Sequence, residues 1–562
     1  MTTLISIALI ALVSVVIAVW LPRRIRLSRA KAPSLAGHVR MARRIARLVP
    51  FYEFSDTRFF AADSAPAEIS AARRRGFEAL SRHMNRTRTR SRVALADLGT
   101  QVSDVAFIAR YRVPFPFSRK VREELKTGIL VDHSHHVWLT DVDGNDWMDL
   151  GGAYGVNVFG YDFYKDCLRE AGTVAGDLGP VLGPYHPVIV DAVRRLRAVS
   201  GHPQVSFHMS GTEAVMQAVR MARYHTGRSH VVRFAGAYHG WWDEVQPGIG
   251  NPGRVGDVYT LAEMSQATLA VLRTRRDIAC VLVNPLQALH PNASAPGDGA
   301  LATTRAAGFD QGAYIRWLEQ LREVCSARGI VLIFDEVFLG FRLARGGVQE
   351  WSGVRADLVT YGKTLGGGLP IGAVCGPPDL MRRYREERPL DICFARGTFN
   401  AHPWVIAAMN AFLRRLEDAS VDDLYATLDA VWDARAHRLN DALRRAGLPV
   451  HAEHLSSVFT LTYSVPSRYN WMFQFYMNAE GLLLPWVGTG RLIFSLNYTE
   501  ADFDEVISRM VRAGERMAAD GWWWHPVGAT RRSIGRQILK EMLLSRLQRT
   551  STSSPSGPTI GS

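Results

Sequence analysis

Two short apolar runs, each closing on a charged side chain, constrain this chain more than any other feature in it. Ile330-Val331-Leu332-Ile333-Phe334 ends at Asp335, and Val359-Thr360-Tyr361-Gly362 ends at Lys363, just ahead of Gly366-Gly367-Gly368. Continuous apolar runs of this length read as strands buried on both faces. With Ile278-Ala279-Cys280-Val281-Leu282-Val283 and helical stretches between the runs, they predict an α/β fold with a mostly parallel central sheet covered by helices. A strand end thus delivers a buried amine, and another delivers a buried carboxylate. A lysine before glycines is often only a loop, and an acidic pair after a strand is often a helix cap, so the rest of the chain has to decide.

Phe207-His208-Met209-Ser210-Gly211-Thr212-Glu213-Ala214-Val215 reads as a strand turning into a helix. Gly211 lets the backbone approach closely, Ser210 and Thr212 supply hydroxyls, and a helix N-terminus favours an anion. Further on, Phe234-Ala235-Gly236-Ala237-Tyr238-His239-Gly240 sets an aromatic ring among small residues, as a platform for a flat heterocycle requires. Taken singly, these are an ordinary N-cap and a core tyrosine. Together with Lys363 and Asp335 they match the needs of pyridoxal 5'-phosphate. An amine condenses with its aldehyde, a carboxylate keeps its pyridine nitrogen protonated, and backbone N–H groups hold its phosphate.

The combination resembles the class III aminotransferases, a family of fold type I pyridoxal-phosphate enzymes, and looks closest to the glutamate-1-semialdehyde aminomutase branch. The strings that carry the resemblance run in family order through most of the chain. Thr140 to Leu150 comes first, then Ser210 to Ala214 and Tyr238-His239-Gly240. Phe334-Asp335-Glu336-Val337 follows with Gly340-Phe341-Arg342, then Gly362-Lys363 with Gly366 to Ala373, Gly397-Thr398-Phe399-Asn400 and Leu484-Pro485. The resemblance implies a large cofactor domain with a mostly parallel sheet plus a smaller α+β domain. It implies that Lys363 is the Schiff-base lysine and Asp335 the partner of the pyridine nitrogen. Ser210, Gly211 and Thr212 hold the phosphate, Tyr238 stacks on one ring face with His239 beside it, and Val337 packs on the other. Thr398 matches a threonine that reaches the phosphate of the neighbouring subunit, which implies a homodimer with shared active sites.

Departures from the family bear on substrate. Where relatives have a Glu-Pro pair, this chain reads Val283-Asn284-Pro285-Leu286-Gln287-Ala288-Leu289, and a glutamate that pairs with a gating arginine in the ornithine and 4-aminobutyrate branches falls on Leu289. His290 to Gln311 reads as a surface insertion or lid. Gly151 to Tyr161 lies where relatives line the substrate pocket, with Tyr161 in place of a usual histidine. Tyr154 and Asn284 are the candidate substrate residues.

Leu4 to Leu21 is an apolar run broken only by Ser6 and Ser14, about 27 Å long as a helix and so near the thickness of a bilayer core. No basic residue precedes it and Trp20 stands at its end, which favours a retained anchor over a cleaved signal peptide. Arg23, Arg24, Arg26, Arg29 and Lys31 follow, predicting a single-pass protein with its catalytic part in the cytoplasm. Val39 to Val49 is amphipathic with Arg40, Arg43, Arg44 and Arg47 on one face. Further clusters lie at Arg73-Arg74-Arg75, Arg86 to Arg92 and Arg531 to Arg549. With a net charge of +14 and no zinc spacing, aromatic RNA-binding string or recognition helix, the charge reads as directed to a membrane lipid bilayer, not to nucleic acid.

The expected organisation is an anchor (1–22), a basic membrane-proximal linker (23–95), an N-terminal segment of the catalytic unit (96–160), the large domain (161–395), the small domain (396–525), and a basic helix with a disordered tail (526–562). Cys167, Cys280, Cys325, Cys375 and Cys393 have no metal or CxxC spacing, so neither a metal site nor a disulfide frame is expected. Gly362-Lys363-Thr364 is no P-loop, because Asp357 occupies its first glycine position. The leading expectation is transfer of an amino group from an amino-acid donor to the carbonyl of a hydrophobic, lipid- or carrier-linked substrate. The alternatives are an aminomutase of the glutamate-1-semialdehyde type and a catalytically idle membrane scaffold; a buried charged lysine argues against the scaffold.

Overall fold

The computed structural model describes residues 18, 20–31, 38–111, 113–246, 248, 250–251, 253, 256–285, 310–485 and 490–552. At its centre is a seven-stranded sheet in the order Gln204–His208, Gly372–Gly376, Leu358–Gly362, Val331–Asp335, Ile278–Val283, His230–Phe234, Val258–Leu261. The sheet is mixed: six strands point the same way, whereas Gly372–Gly376 is antiparallel to both neighbours. Residues 363–371 are too few for the crossover a parallel return needs, so the chain comes straight back. The three middle strands are buried along their whole length, as their unbroken apolar runs require. On one face Ala214, Val215, Ala218 and Ala222 of the helix Gly211–Thr226 cover Cys280, Leu282 and Ile333. Trp317, Leu318 and Leu321 of the helix Gln311–Arg328 belong to the core on the other face, with Val281, Leu332 and Phe334.

Register then places the chemistry. Val283 pairs with Phe334 and Asp335 with Thr360, so Asn284, Asp335 and Lys363 gather where the parallel strands end. Ligands collect at that edge in open α/β sheets. Two smaller sheets close over it. Leu482–Leu483 adds to Val131–His135, Trp138–Asp141 and Asp146–Asp149, joining segments far apart in sequence. Val450–Leu455, Val458–Tyr463 and Arg491–Ile493 form the other. The helix Glu500–Ala519 packs near it and starts on a reciprocal cap between Thr499 and Asp502.

The expected single-pass membrane protein with a cytoplasmic catalytic part is corrected here. Among the described residues no helix is long and apolar enough to cross a membrane. Residues 4–17 and 19 of the apolar run lie outside the described residues. The described helix at 20–30 carries Arg23, Arg24, Arg26 and Arg29, and its end docks on the outermost strand of the large sheet, where Ala262 N donates to Ala30 O at 2.8 Å.

The basic clusters were also expected to face a lipid surface, and key members do not. Arg73 is fully buried, with its guanidinium on both carboxylate oxygens of Asp63 at 2.8 and 2.7 Å. Arg88 is buried against Trp147 and donates to Lys126 O at 2.8 Å. Arg43 turns onto the carbonyl of Gly253 at 2.9 Å. The insertion expected at 290–311 falls almost wholly outside the described residues, as does Leu289. All five cysteines are free and buried, and burial pushes the thiols of Cys167, Cys280, Cys325 and Cys375 up to about 12, which leaves them unreactive.

Candidate active site

Lys363 follows the strand Leu358–Gly362 in a left-handed backbone conformation, φ 47°. A side chain is strained there, and the neighbouring glycines and a hydrogen bond between Tyr164 Oη and Thr364 Oγ1 at 2.5 Å hold the turn in place. Ala153, Tyr154 and Phe341 also have positive φ. Lys363 Nζ stands 5.5 Å over the ring of Phe338, with no hydrogen-bond or ion-pair partner among the described residues. Burial lowers its pKa and the nearby Arg342 charge adds to that, against the opposing pull of Asp335. A desolvated lysine with a lowered pKa is poised to act as a free amine.

Asp335 is oriented from three sides. Its Oδ1 accepts from Val337 N at 3.1 Å and from Thr360 Oγ1 at 3.4 Å, and its Oδ2 accepts from His239 Nδ1 at 2.7 Å. A carboxylate can only accept, so the proton of this pair sits on Nδ1. His239 therefore lies behind Asp335, fully enclosed, with no partner among the described residues at Nε2.

The anion-binding turn is assembled by close packing. Ser210 caps the helix Gly211–Thr226, its Oγ accepting from Glu213 N at 3.2 Å while Glu213 accepts from Met209 N at 2.9 Å. A Cβ on Gly211 would come within 2.5 Å of Val337 Cγ1, and one on Gly240 within 2.5 Å of Thr212 Oγ1. Only glycines allow the helix start, the Val337 turn and the Tyr238 turn to close on each other. The free N–H groups at this helix end suit a phosphate. Tyr238 stays 56 % exposed, its ring available, and burial with the Asp335 charge raises its hydroxyl pKa.

Lys363, Asp335, Val337, Gly211, Thr212, Tyr238 and His239 are thus brought to one edge. Tyr154 sits in the turn Gly152–Gly155, whose Gly155 abuts Phe338, and Asn284 is buried one residue past the strand Ile278–Val283. Thr398 is not at this cluster in the single chain. It is exposed, in the stretch after the hairpin ending at Ile392, with Leu390, Ile392, Phe394 and Phe399 exposed around it.

Two neighbours were missed from sequence. Phe338 underlies Lys363, and Arg342 is fully buried with Nη1 on Ser457 Oγ at 2.6 Å and Phe494 O at 2.7 Å. Burial pulls the Arg342 pKa down to about 10. Arg342 closes the string Gly340-Phe341-Arg342 and Phe338 directly follows Val337, outside both strings; an arginine seven residues past a strand-end acid was the available clue.

The set fits pyridoxal phosphate: an unpartnered buried amine, a fixed carboxylate, an exposed ring, and a helix-end cradle that any side chain at Gly211 would fill. Comparison with known proteins agrees. The family described as Aminotransferase class-III matches residues 120–245 and 306–513. The chain is similar to the glutamate-1-semialdehyde 2,1-aminomutase of Methanocaldococcus jannaschii, 32% identical over 372 residues, 63% of this chain and 78% of the relative. The enzyme of the same name from Desulfotalea psychrophila is 33% identical over 374 residues, 63% of this chain and 80% of the relative. Among solved structures, one described as a transaminase with PLP bound is 26% identical with TM-score 0.58, covering 70% of this chain and 92% of its own. A glutamate-1-semialdehyde aminomutase from Pseudomonas aeruginosa, 18% identical with TM-score 0.62 over 79% of this chain and 99% of its own, shares the fold. This chain belongs to the class III aminotransferase family, and its cofactor is pyridoxal phosphate.

Proposed function

We propose that the protein is an aminotransferase that takes an amino group from an amino-acid donor and gives it to the carbonyl of an acceptor with an apolar skeleton. The observation that carries this is Lys363, a desolvated and unpartnered amine at the same sheet edge as a fixed Asp335. When bound, pyridoxal phosphate supplies an electron sink for charge developing on the substrate carbon. Lys363 then has two tasks, holding the cofactor covalently and moving a proton at the substrate carbon from its Nζ. Asp335 keeps the ring nitrogen protonated, and His239 keeps Asp335 pointed at it. Ser210, Gly211 and Thr212 hold the phosphate, Tyr238 and Val337 flank the ring, and Thr398 of the partner subunit completes the phosphate site in a homodimer. Phe338, Tyr154 and Tyr238 favour an apolar acceptor, and Asn284 gives it one neutral polar contact. The lipid- or carrier-linked acceptor has no support of its own once the anchor is set aside.

A second reading, aminomutase, is favoured by the relatives at 32 to 33% identity, which carry the name glutamate-1-semialdehyde 2,1-aminomutase. The same residues serve both reactions, and labelled donors separate them. With nitrogen-15 glutamate or alanine, a transaminase loses its visible cofactor band on donor alone, releases one equivalent of keto acid, and later passes label to a carbonyl acceptor. If no donor transfers label while glutamate-1-semialdehyde is isomerised, the mutase reading replaces it.

A further inference from the structure

A small cavity lies between the strands Val458–Tyr463 and Arg491–Ile493, the segment from Asn470 to Gln474, and Leu484 with Pro485. Arg491 is paired through its backbone with Thr460, and its side chain lines this cavity. The guanidinium has no hydrogen-bond or ion-pair partner among the described residues, and its Nε is wholly enclosed. Burial with no acid beside it pulls the Arg491 pKa down to about 9, which still leaves it charged at neutral pH. Keeping a charge in such a place is expensive, and an orphaned buried polar group needs a reason.

The surroundings say what would satisfy it. Burial raises the Tyr463 pKa, so its hydroxyl remains a donor on the cavity wall. Asn470 Oδ1 has no partner among the described residues and can accept from an N–H or O–H on the same ligand. The cavity volume is about 30 Å³, roughly two waters at the ~10–15 Å³ each needs. A planar carboxylate fits that room and the planar fork of a guanidinium better than a tetrahedral phosphate does.

The cavity is also pre-shaped and close to the cofactor edge. Its Asn470 wall is continuous with Arg468 and Tyr469, which are clamped by Glu541 at 2.7 Å and by Phe59 O at 2.7 Å. Pro485 and Leu484 lie against Gly151, and Ile493, two residues from Arg491, crowds Gly152. Gly155 of that same turn abuts Phe338, above which Lys363 stands.

We propose that this cavity is a binding site for the carboxylate of a small organic acid, with Arg491 as its charged anchor and Tyr463 as a second donor. The acid is either the amino-group substrate itself or a separate effector, and the site holds whether the amine is transferred or moved.

The test titrates propionate, succinate and glutarate, against propionamide as the uncharged match, into the full-length cofactor-loaded protein at constant ionic strength. Tryptophan fluorescence and the thermal midpoint are followed. Saturable binding of the acids but not the amide is expected. Arg491→Met should weaken it roughly tenfold or more, with the visible cofactor band intact and the ligand-free midpoint unchanged or higher; Arg491→Lys should retain part of it. Trp471→Phe should keep binding and lose fluorescence response, which locates the ligand. An acid that raises the donor's KM at unchanged kcat shares the substrate's site, and one that alters the rate at saturating donor is an effector. Equal binding by Arg491→Met, or no binding of any acid, overturns the proposal. So does binding that appears only in Asp298→Asn, because Asp298, the one acidic side chain outside the described residues, would then be the native occupant.

Discussion

Two regions of this molecule bury charge among aromatic rings, and they finish the job differently. In the first, the terminal helices wrap the segment around Arg468 and Tyr469. Arg73 gives hydrogen bonds to Asp63, Phe60 O, Gly521 O and Trp524 O, and lies 4.3 Å over the Tyr469 ring. Arg468 meets Glu541 through two bonds of 2.7 and 2.9 Å, and Glu541 also takes Arg58 and Tyr52. Burial alone would raise the Glu541 carboxyl, but the two arginines hold it low. In the second region, the cofactor edge, Lys363 has no partner among the described residues, Arg342 keeps Nε and Nη2 unmatched, and Glu336 keeps Oε2 unmatched. Saturated charge networks make one rigid arrangement; unsaturated ones keep binding capacity for something that is not the chain.

The strongest way to break this contrast is to remove the cleft's amine. Lys363→Ala should lower turnover by about a thousandfold or more, yet leave the cofactor-free thermal midpoint unchanged or higher, because an unpaired buried charge has gone. Borohydride followed by mass spectrometry on the intact protein should put the cofactor adduct on Lys363. Asp335→Ala should keep some cofactor and lose nearly all turnover. An adduct on another lysine, or a marked fall in stability for Lys363→Ala, would refute the assignment.

The terminal network should behave in the opposite way. Asp63→Ala strands Arg73 without its counter-charge inside the protein and should cost about 3–5 kcal/mol, seen as a large drop in thermal midpoint. At a temperature where the protein is folded, kcat and KM should match the wild type. A sharper version uses the pair: Glu541→Leu and Arg468→Met should each destabilise, and the double variant should recover much of the loss. Additive losses would mean that the charge pair is not what joins the terminal helix to the core.

This contrast also marks where sequence stopped being informative. The strands ending at Asp335 and Lys363 were legible because a doubly covered strand must be apolar throughout, and the strings at Ser210, Tyr238 and Gly366 because their backbone shapes require small residues. Arg73 and Arg88 were misread for an equally physical reason. A run of arginines looks the same whether water or a buried acid satisfies it, and Glu541 lies 483 residues from Arg58 and 73 from Arg468. No local periodicity reports such a contact. The same holds for Leu482–Leu483, which joins the sheet of Asp146–Asp149, and for Arg491, whose isolation exists only once Tyr463 and Asn470 surround it. The apolar run at Leu4 is legible as hydrophobic, but the described part of the N-terminal helix carries four arginines and docks on the large sheet.

The last effect expected here sits beside Asp335 and is read through pH. Glu336 is enclosed, with Oε1 accepting from Val348 N at 2.7 Å and no partner among the described residues for Oε2. Burial, with the Asp335 charge adding to it, pushes its carboxyl up to about 8 despite the opposing N–H groups of Val348 and Gln349. An unfolded chain releases that proton near 4.3. Between those values the folded protein holds a proton the unfolded chain has lost, so stability falls as pH rises, by at most about 1.4 kcal/mol per unit. The contribution is fully present below the unfolded value and is lost as pH rises through about 8. Glu336→Gln keeps the shape and one acceptor but cannot ionise. Its thermal midpoint, relative to wild type, should therefore be near zero or slightly negative at pH 5 and clearly positive at pH 9. Parallel midpoint curves for the two proteins across that range would show that Glu336 is ionised in the folded state and overturn this reading.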